Sequence, residues 1–132
     1  MSELQFTFND YRLQKLEFRL KEVKQKKGAI DVNQALQCQH KFKGAVAEVF
    51  LRIRLDGEQS PFIIEISYLG IFQFNKDLNS VDEKKREKII QVNCTAILFP
   101  FIRETIAEIT RKAGLPPLLL SSFNFVKAYE QI

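Results

Sequence analysis

Tryptophan is absent from this 132-residue chain, histidine occurs once, and cysteine occurs twice. The single histidine, His40, removes most imidazole-based mechanisms, because a catalytic imidazole needs both a nucleophile and an orienting partner. Cys38 and Cys94 form no C-x-x-C pair and, with one histidine, are too few to build a zinc site. They read as small buried hydrophobes in a reducing compartment. The longest apolar runs, Phe62–Ile66 and Leu115–Leu120, are far shorter than the roughly 20 residues that cross a bilayer as a helix. Met1 to Leu4 show no basic segment leading into an apolar core, so no secretory signal is expected and a cytoplasmic location is. G-x-G-x-x-G, Walker A, H-E-x-x-H and G-x-S-x-G motifs are all missing. No nucleophile–base–orienter set can be named, so the expectation is a non-enzymatic protein with no catalytic residue, metal or cofactor. A strong excess of one charge is lacking too: the net charge is +4. The basic clusters Lys21–Lys27 and Asp82–Lys88 contain acids, which is the pattern of a solvated face and not of a specific nucleic-acid stripe.

What is present is a globular composition, 45% hydrophobic with 12 phenylalanines, and a length that suits one domain over residues 1–132. A first strand is expected from about Leu4 to Glu22. Its apolar parity flips between Leu13 and Leu16, which implies a bulge or two short strands. Lys21–Gly28 reads as a loop. Ile30, Val32, Leu36, Cys38 and Phe42 then alternate with polar residues, the period of a half-buried strand, with His40 on the apolar face as a satisfied core or edge residue. Ala45, Ala47, Val49, Leu51, Ile53 and Leu55 repeat the alternation up to Asp56-Gly57, a hairpin signal. Pro61 to Leu69 is apolar on both faces, Phe62, Ile64, Ile66 and Tyr68 on one and Ile63 and Leu69 on the other. Such a strand needs covering by a helix, another subunit or a bound chain. Gly70 reads as a break.

Ser80 and Glu83 have the spacing of a capping box at a helix start. The apolar set Ile89, Val92, Ala96, Ile97, Ile102, Ile106, Ile109 and Ala113 follows at helical spacing. Pro100 must kink this helix or open a new first turn. Gly114 and Pro116-Pro117 stop it, and Asn124 can cap a short last helix from Phe125 to about Gln131. Strands first and helices afterwards define an α+β fold: a four-stranded antiparallel sheet, a long kinked helix and a short C-terminal helix.

The run Asn93-Cys94-Thr95-Ala96-Ile97-Leu98-Phe99-Pro100-Phe101-Ile102-Arg103-Glu104 resembles the I-L-F-P-Y/F-x-R-E signature in the long helix of the SecB family. Glu65-Ile66 with Gly70-Ile71-Phe72 resembles that family's E-V-x-x-x-G-I-F. Gly114-Leu115-Pro116-Pro117-Leu118-x-Leu120 resembles its G-x-F-P-x-L-x-L link, and Phe123-Asn124-Phe125 its V-N-F. Val49-x-Leu51-Arg52-Ile53 and Lys15-Leu16-Glu17-Phe18 resemble its third and first strands. The resemblance implies a SecB-like fold and a homotetramer built as a dimer of dimers. It implies ATP-independent binding of unfolded preproteins in hydrophobic grooves, often with delivery to the SecA motor. A role dedicated to an antitoxin or another specific client is the alternative, as is a non-chaperone interaction module on the same fold. Phe72, Phe74, Phe123, Phe125 and Tyr129 are candidate groove walls, with ordinary core an equal reading for Phe72 and Phe125. The row Phe62, Ile64, Ile66 and Tyr68 is expected to be exposed where it influences tetramer formation. Ile63 and Glu65 match the family's acidic–apolar motor-docking site. Lys15 and Arg19, however, stand where the family carries acids, the loop after the first strand is short and lysine-rich, and the chain ends at Ile132 with almost no tail. Glu65 is expected to remain as the main unpaired acid, and SecA docking to be weak or absent.

Overall fold

The computed structural model describes residues 3–21, 32–58 and 60–116, together with positions 118, 120, 125 and 127. Four strands, β1 (Phe6–Leu20), β2 (Asn33–Lys43), β3 (Val46–Asp56) and β4 (Phe62–Phe74), form one antiparallel sheet in the order β1-β4-β3-β2. A continuous helical stretch of 30 residues follows. It consists of α1 (Glu83–Lys88), a π-helical segment (Ile89–Cys94) and α2 (Thr95–Lys112). The loop expected over Lys21–Gly28 lies outside the described residues after Lys21, as does Ile30. Asn124 and Gln131 are also outside them, while Phe125 and Lys127 are helical.

The alternation in β3 sets the core. Ala47, Val49, Leu51, Ile53 and Leu55 are all 0% exposed, because every second side chain of a strand faces the same layer. On β4 the matching row is Phe62, Ile64, Ile66 and Tyr68, and it is buried as well. The expectation that this row is exposed is therefore corrected. The layer that covers it belongs to the chain itself, since the helix lies on this face. Burying such side chains stabilises the fold by about 1.5–3 kcal/mol each.

β4 also runs unbroken through Gly70, which corrects the expected break. A Cβ at Gly70 would lie 2.7 Å from the Phe72 ring and 2.8 Å from a Leu98 methyl. The glycine is the seat on which the helix rests, and its missing side chain lets the two layers approach.

β1 carries two bulges. Its register against β4 shifts between Phe8 and Asp10 and again between Leu13 and Lys15. The second is the expected parity flip, resolved as a bulge at Gln14 in one strand. The first, at Asn9, was not anticipated. Together they place Phe6, Phe8, Tyr11, Leu13, Leu16, Phe18 and Leu20 on the helix side, opposite Phe74, Phe72, Gly70, Tyr68, Ile66, Ile64 and Phe62.

The helix start differs from the capping-box expectation. Ser80 donates to the Asp77 carbonyl within a 3₁₀ turn at Leu78–Ser80, so it is not available. The cap is Asp82, whose Oδ2 accepts from the Lys85 N–H at 3.3 Å. Pro100 lies inside α2 and opens no new helix; the irregularity is the π-helical segment one turn upstream. This segment explains why the expected apolar set is offset in its first half. The helix residues that are 0% exposed are Ile90, Cys94, Thr95, Leu98, Ile102, Ile106 and Thr110; apart from Thr95 they recur every four residues. Each such step overshoots one face of an α-helix by about 40°, since 3.6 residues make a turn. The wider π turn holds the first half of the row in line with the second. The Gly114 stop is observed as a Schellman end: Gly114 N–H donates to Arg111 O and Leu115 N–H to Thr110 O, both at 3.0 Å, with Gly114 at φ +81°.

By length and composition, Glu83–Lys112 could cross a membrane. Its apolar residues instead pack on the sheet, with Ile90, Leu98, Ile102 and Ile106 fully buried, so it is a core helix.

Candidate functional site

A helix about 10 Å across covers two strands spaced about 4.8 Å apart, not four. It runs obliquely here. Near its start, His40 on β2 bonds Glu87 at 3.0 Å and Arg86 lies 4.6 Å from the Phe42 ring centre. Further on, Leu98 sits at Gly70 of β4, and Phe101 stacks on Tyr11 of β1 with centroids 4.0 Å apart. Most of β1 is left bare. Tyr11, Leu13, Leu16 and Leu20 are 45%, 46%, 40% and 53% exposed. They form an apolar shelf beside Phe101, on a strand whose outer edge pairs with no other strand among the described residues.

An aromatic cluster supports one end of this shelf. Phe8 stacks on Phe72 at 5.1 Å, Phe6 meets Phe72 edge-on at 5.4 Å, and Phe6 lies 5.3 Å from Phe74. Phe72 and Phe74 are 0% and 3% exposed. They form a floor beneath the first strand and not the walls of an open groove, because the Asn9 bulge turns Phe6 and Phe8 over them. Phe125 is buried too, edge-on to Phe99 at 5.6 Å. Phe123 and Tyr129 lie outside the described residues. The exposed set, Tyr11, Leu13, Leu16 and Leu20, with half-buried Phe101 beside it, was missed as a site. The signal was available: four half-apolar strands and only one long helix to cover them.

The opposite face of the sheet carries the charged residues, set among Phe50, Ile63, Leu69 and Ile71. Glu65 points into it but is only 6% exposed, and three cations surround it. Lys15 Nζ lies 2.5 Å from Oε2, and Arg52 and Arg54 lie 3.4 and 3.7 Å from Oε1. The hydrogen bond from Lys15 holds the Glu65 carboxyl below its usual range, with the arginine charges adding to it and burial opposing. The same bond raises the Lys15 ammonium. The expectation that Glu65 stands unpaired is thus corrected: arginines on β3 and a lysine on β1 occupy its neighbouring positions and close over it. Ile63, half-buried, sits opposite Arg19.

The remaining chemistry is structural. His40 joins β2 to α1 through Glu87, whose other oxygen accepts from Gln91 at 3.3 Å. Burial pushes the Cys38 thiol up to about 11, with Glu87 adding to it, and the Cys94 thiol up to about 12, with Cys38 adding. Both thiols therefore stay protonated. Among the described residues no group of three or more His, Cys, Asp or Glu could hold a metal ion.

The order of elements, one antiparallel sheet with a long helix on one side and an uncovered apolar edge strand, defines an α+β fold of SecB type. Residues 14–132 match the family described as preprotein translocase subunit SecB, so the chain belongs to the SecB family. It is 39% identical over 90 residues to the protein-export protein SecB of Anaplasma phagocytophilum, a match covering 66% of this chain and 56% of that one. It is 43% identical over 74 residues to the SecB of Hyphomonas neptunium, covering 56% and 42%. The chain thus spans about half the length of the curated relatives it matches. Among solved structures, the Mycobacterium tuberculosis Rv1957 SecB-like chaperone, in complex with a ChAD peptide from the Rv1956 HigA1 antitoxin, superposes with a TM-score of 0.75. The identity is 17%, and 89% of this chain and 90% of that one are covered. A Streptococcus agalactiae protein of unknown function aligns with a TM-score of 0.53 at 12% identity, over 91% and 99%.

Proposed function

We propose that this chain is a cytoplasmic, ATP-independent holdase that keeps unfolded polypeptides, above all preproteins for export, from aggregating. The observation that carries the reading is the exposed row Tyr11, Leu13, Leu16 and Leu20 on an edge strand. Folded monomers rarely leave a contiguous apolar strip of this kind without a partner for it. An extended client meets both needs of the site: its backbone can pair with the strand edge while alternate side chains lie on the shelf. Self-association into a homotetramer of paired dimers belongs to the same reading: a second copy can pair with one stretch of the 15-residue edge and leave the remaining stretch, with the shelf, to the client. Docking to a SecA motor through Ile63 and Glu65 is weak or absent in this reading, since Glu65 is committed to Lys15, Arg52 and Arg54. A second reading, a chaperone dedicated to one client, is favoured by the antitoxin peptide bound to the M. tuberculosis neighbour.

The test is dilution of a chemically unfolded protein into buffer with stoichiometric chaperone and no nucleotide. Wild type should suppress light scattering. Leu13→Gln with Leu16→Gln, both at exposed positions, should lose most of that suppression while keeping the far-UV spectrum. Failure of the wild type to suppress, or full suppression by the variant, would refute the reading. Mass spectrometry of co-purified chains then separates many preproteins from one dedicated client.

A further inference from the structure

The solvent face of the sheet carries chemistry that the apolar shelf does not use. Cross-strand pairing sets Lys15, Ser67, Arg52 and Gln37 in one row across all four strands. The next row holds Glu17, Glu65 and Arg54, and Arg19 follows beyond it. The acids of this face already have cations. Asp10 pairs with Arg12 at 3.2 Å, Glu17 with Lys15 at 3.6 Å, Glu48 with Lys41 at 3.3 Å and Asp56 with Lys21 at 3.2 Å. Arg54 also lies 3.5 Å from Asp56, so Lys15, Arg52, Arg54 and Lys21 exceed Glu17, Glu65 and Asp56 by one charge, and Arg19 forms no ion pair among the described residues. The residual potential of the face is therefore positive. A depression of about 460 Å³ opens in its centre, lined by Lys15, Arg52, the carboxamides of Gln14, Gln37 and Gln39, and the Phe50 ring. Those three carboxamides make no hydrogen bond among the described residues.

We propose that this face is a docking surface for an acidic segment of a partner protein, with one carboxylate seated between Lys15 and Arg52 and an apolar neighbour on Phe50. Opposite potentials bring such a segment in and like charges exclude basic ones. Uncommitted amides beside the cations supply the neutral hydrogen bonds that orient a carboxylate. A nucleic acid fits worse, because its evenly repeated phosphates would run over Glu17, Glu48 and Asp10. This surface lies on the other side of the sheet from the shelf proposed for clients, so the two can be tested apart.

The experiment uses fluorescein-labelled peptides of four Glu-Leu-Asp-Gly repeats and, with the same apolar content, four Lys-Leu-Lys-Gly repeats, plus single-stranded DNA of similar length. Fluorescence anisotropy with the full chain should show binding of the acidic peptide at roughly 10 µM, weakening about tenfold from low to moderate salt. Arg19→Glu with Arg52→Gln should weaken it at least about tenfold, with aggregation suppression unchanged. Arg19→Glu alone removes no ion pair of the described fold and should weaken it about threefold. A flat titration, equal binding of the acidic and basic peptides, tighter binding of the DNA, or full binding by the folded Arg19→Glu and double variants would each overturn the proposal.

Discussion

Placing a methyl group on Gly70 tests the layer contact on which the fold depends. The added Cβ would lie 2.7 Å from Phe72 Cε2, 2.8 Å from Leu98 Cδ2 and 3.1 Å from Leu98 Cδ1. Favourable carbon contacts lie at about 3.5–4.0 Å. Neither neighbour has room to retreat: Phe72 and Leu98 are both 0% exposed, and Phe72 is stacked beneath Phe8 and edge-on to Phe6. Overpacking of this kind costs about 1–3 kcal/mol. Alanine in a strand regains about 0.5–1 kcal/mol over glycine, which leaves a net loss of about 0–2.5 kcal/mol, and two contacts below 3.0 Å with fully buried neighbours put Gly70→Ala in the upper half of that range. Leu98→Ala alone should cost about 2–5 kcal/mol through lost packing. It also removes both methyl groups that the new Cβ would meet. In that background Gly70→Ala should cost about 1 kcal/mol less than in wild type, a coupling typical of residues in contact. Urea titration followed by circular dichroism gives all four stabilities, at one protein concentration because self-association adds a concentration-dependent contribution. A neutral or stabilising Gly70→Ala, or an additive cycle, would refute the argument that Gly70 is there for the helix.

Four further outcomes are expected. The Glu65 carboxyl is held low in the folded state, so its stabilisation is full above the unfolded value of about 4.3 and is lost as pH falls through the lower folded value. The margin of wild type over Glu65→Gln in urea titrations should shrink in acid, and a margin that does not change with pH contradicts the pairing. Asp82→Ala removes the cap on Lys85 N–H and should cost about 1 kcal/mol by thermal or urea unfolding; no loss would return the cap to another residue. Buried Cys94, with its thiol near 12, should react with a thiol reagent at neutral pH only after denaturation, and half-buried Cys38, near 11, should react slowly in the native protein; rapid labelling of Cys94 in the native protein would overturn its burial. Deleting Gln14 removes the bulge residue and joins Leu13 to Lys15, whose partners Tyr68 and Ser67 are already adjacent, so it should change stability by less than about 1 kcal/mol; loss of folding would show that the bulge does more than correct the parity.

The sheet was legible because period-2 alternation is a strong signal, and β3 buries every second residue even though Val46 and Phe50 interrupt the polar face. β4 was read with its hairpin partner β3, but neither its pairing with β1 nor its cover was. A strand apolar on both faces announces burial, yet nothing local says whether a helix or another chain supplies it. Gly70 misled for the same reason, since a glycine that admits a helix and a glycine that ends a strand look identical in sequence. The first half of the helix was offset because periodicity assumes 3.6 residues per turn, and the π-helical segment at Ile89–Cys94 departs from that. Ser80 fits the capping box, but Asp77 and Asp82 compete for the same backbone, and tertiary placement of the 3₁₀ turn decides between them. The shelf was missed because each of its residues, taken singly, resembles ordinary core. Only the width of the one long helix among the described residues shows that some must remain outside.

The two faces of β1 show how one strand carries both proposed activities. Phe6, Phe8, Tyr11, Leu13, Leu16, Phe18 and Leu20 do not share a parity in the sequence, yet all face the helix side, and Lys15, Glu17 and Arg19 all face the other way. Side-chain direction in a strand reverses at every residue, so an uncorrected register would mix the two sets. Without the bulge at Gln14, keeping Tyr11 and Leu13 on the shelf would turn Lys15 inward and bring Leu16 and Phe18 onto the charged face. Glu65 would then lose the ammonium 2.5 Å away that holds its carboxylate. The bulge costs a ladder pairing and leaves Gln14 free to line the cationic depression. By absorbing one extra residue, the bulge keeps an apolar surface suited to unfolded chains apart from a charged surface suited to an acidic segment, and the absorbed residue adds a side chain to the second.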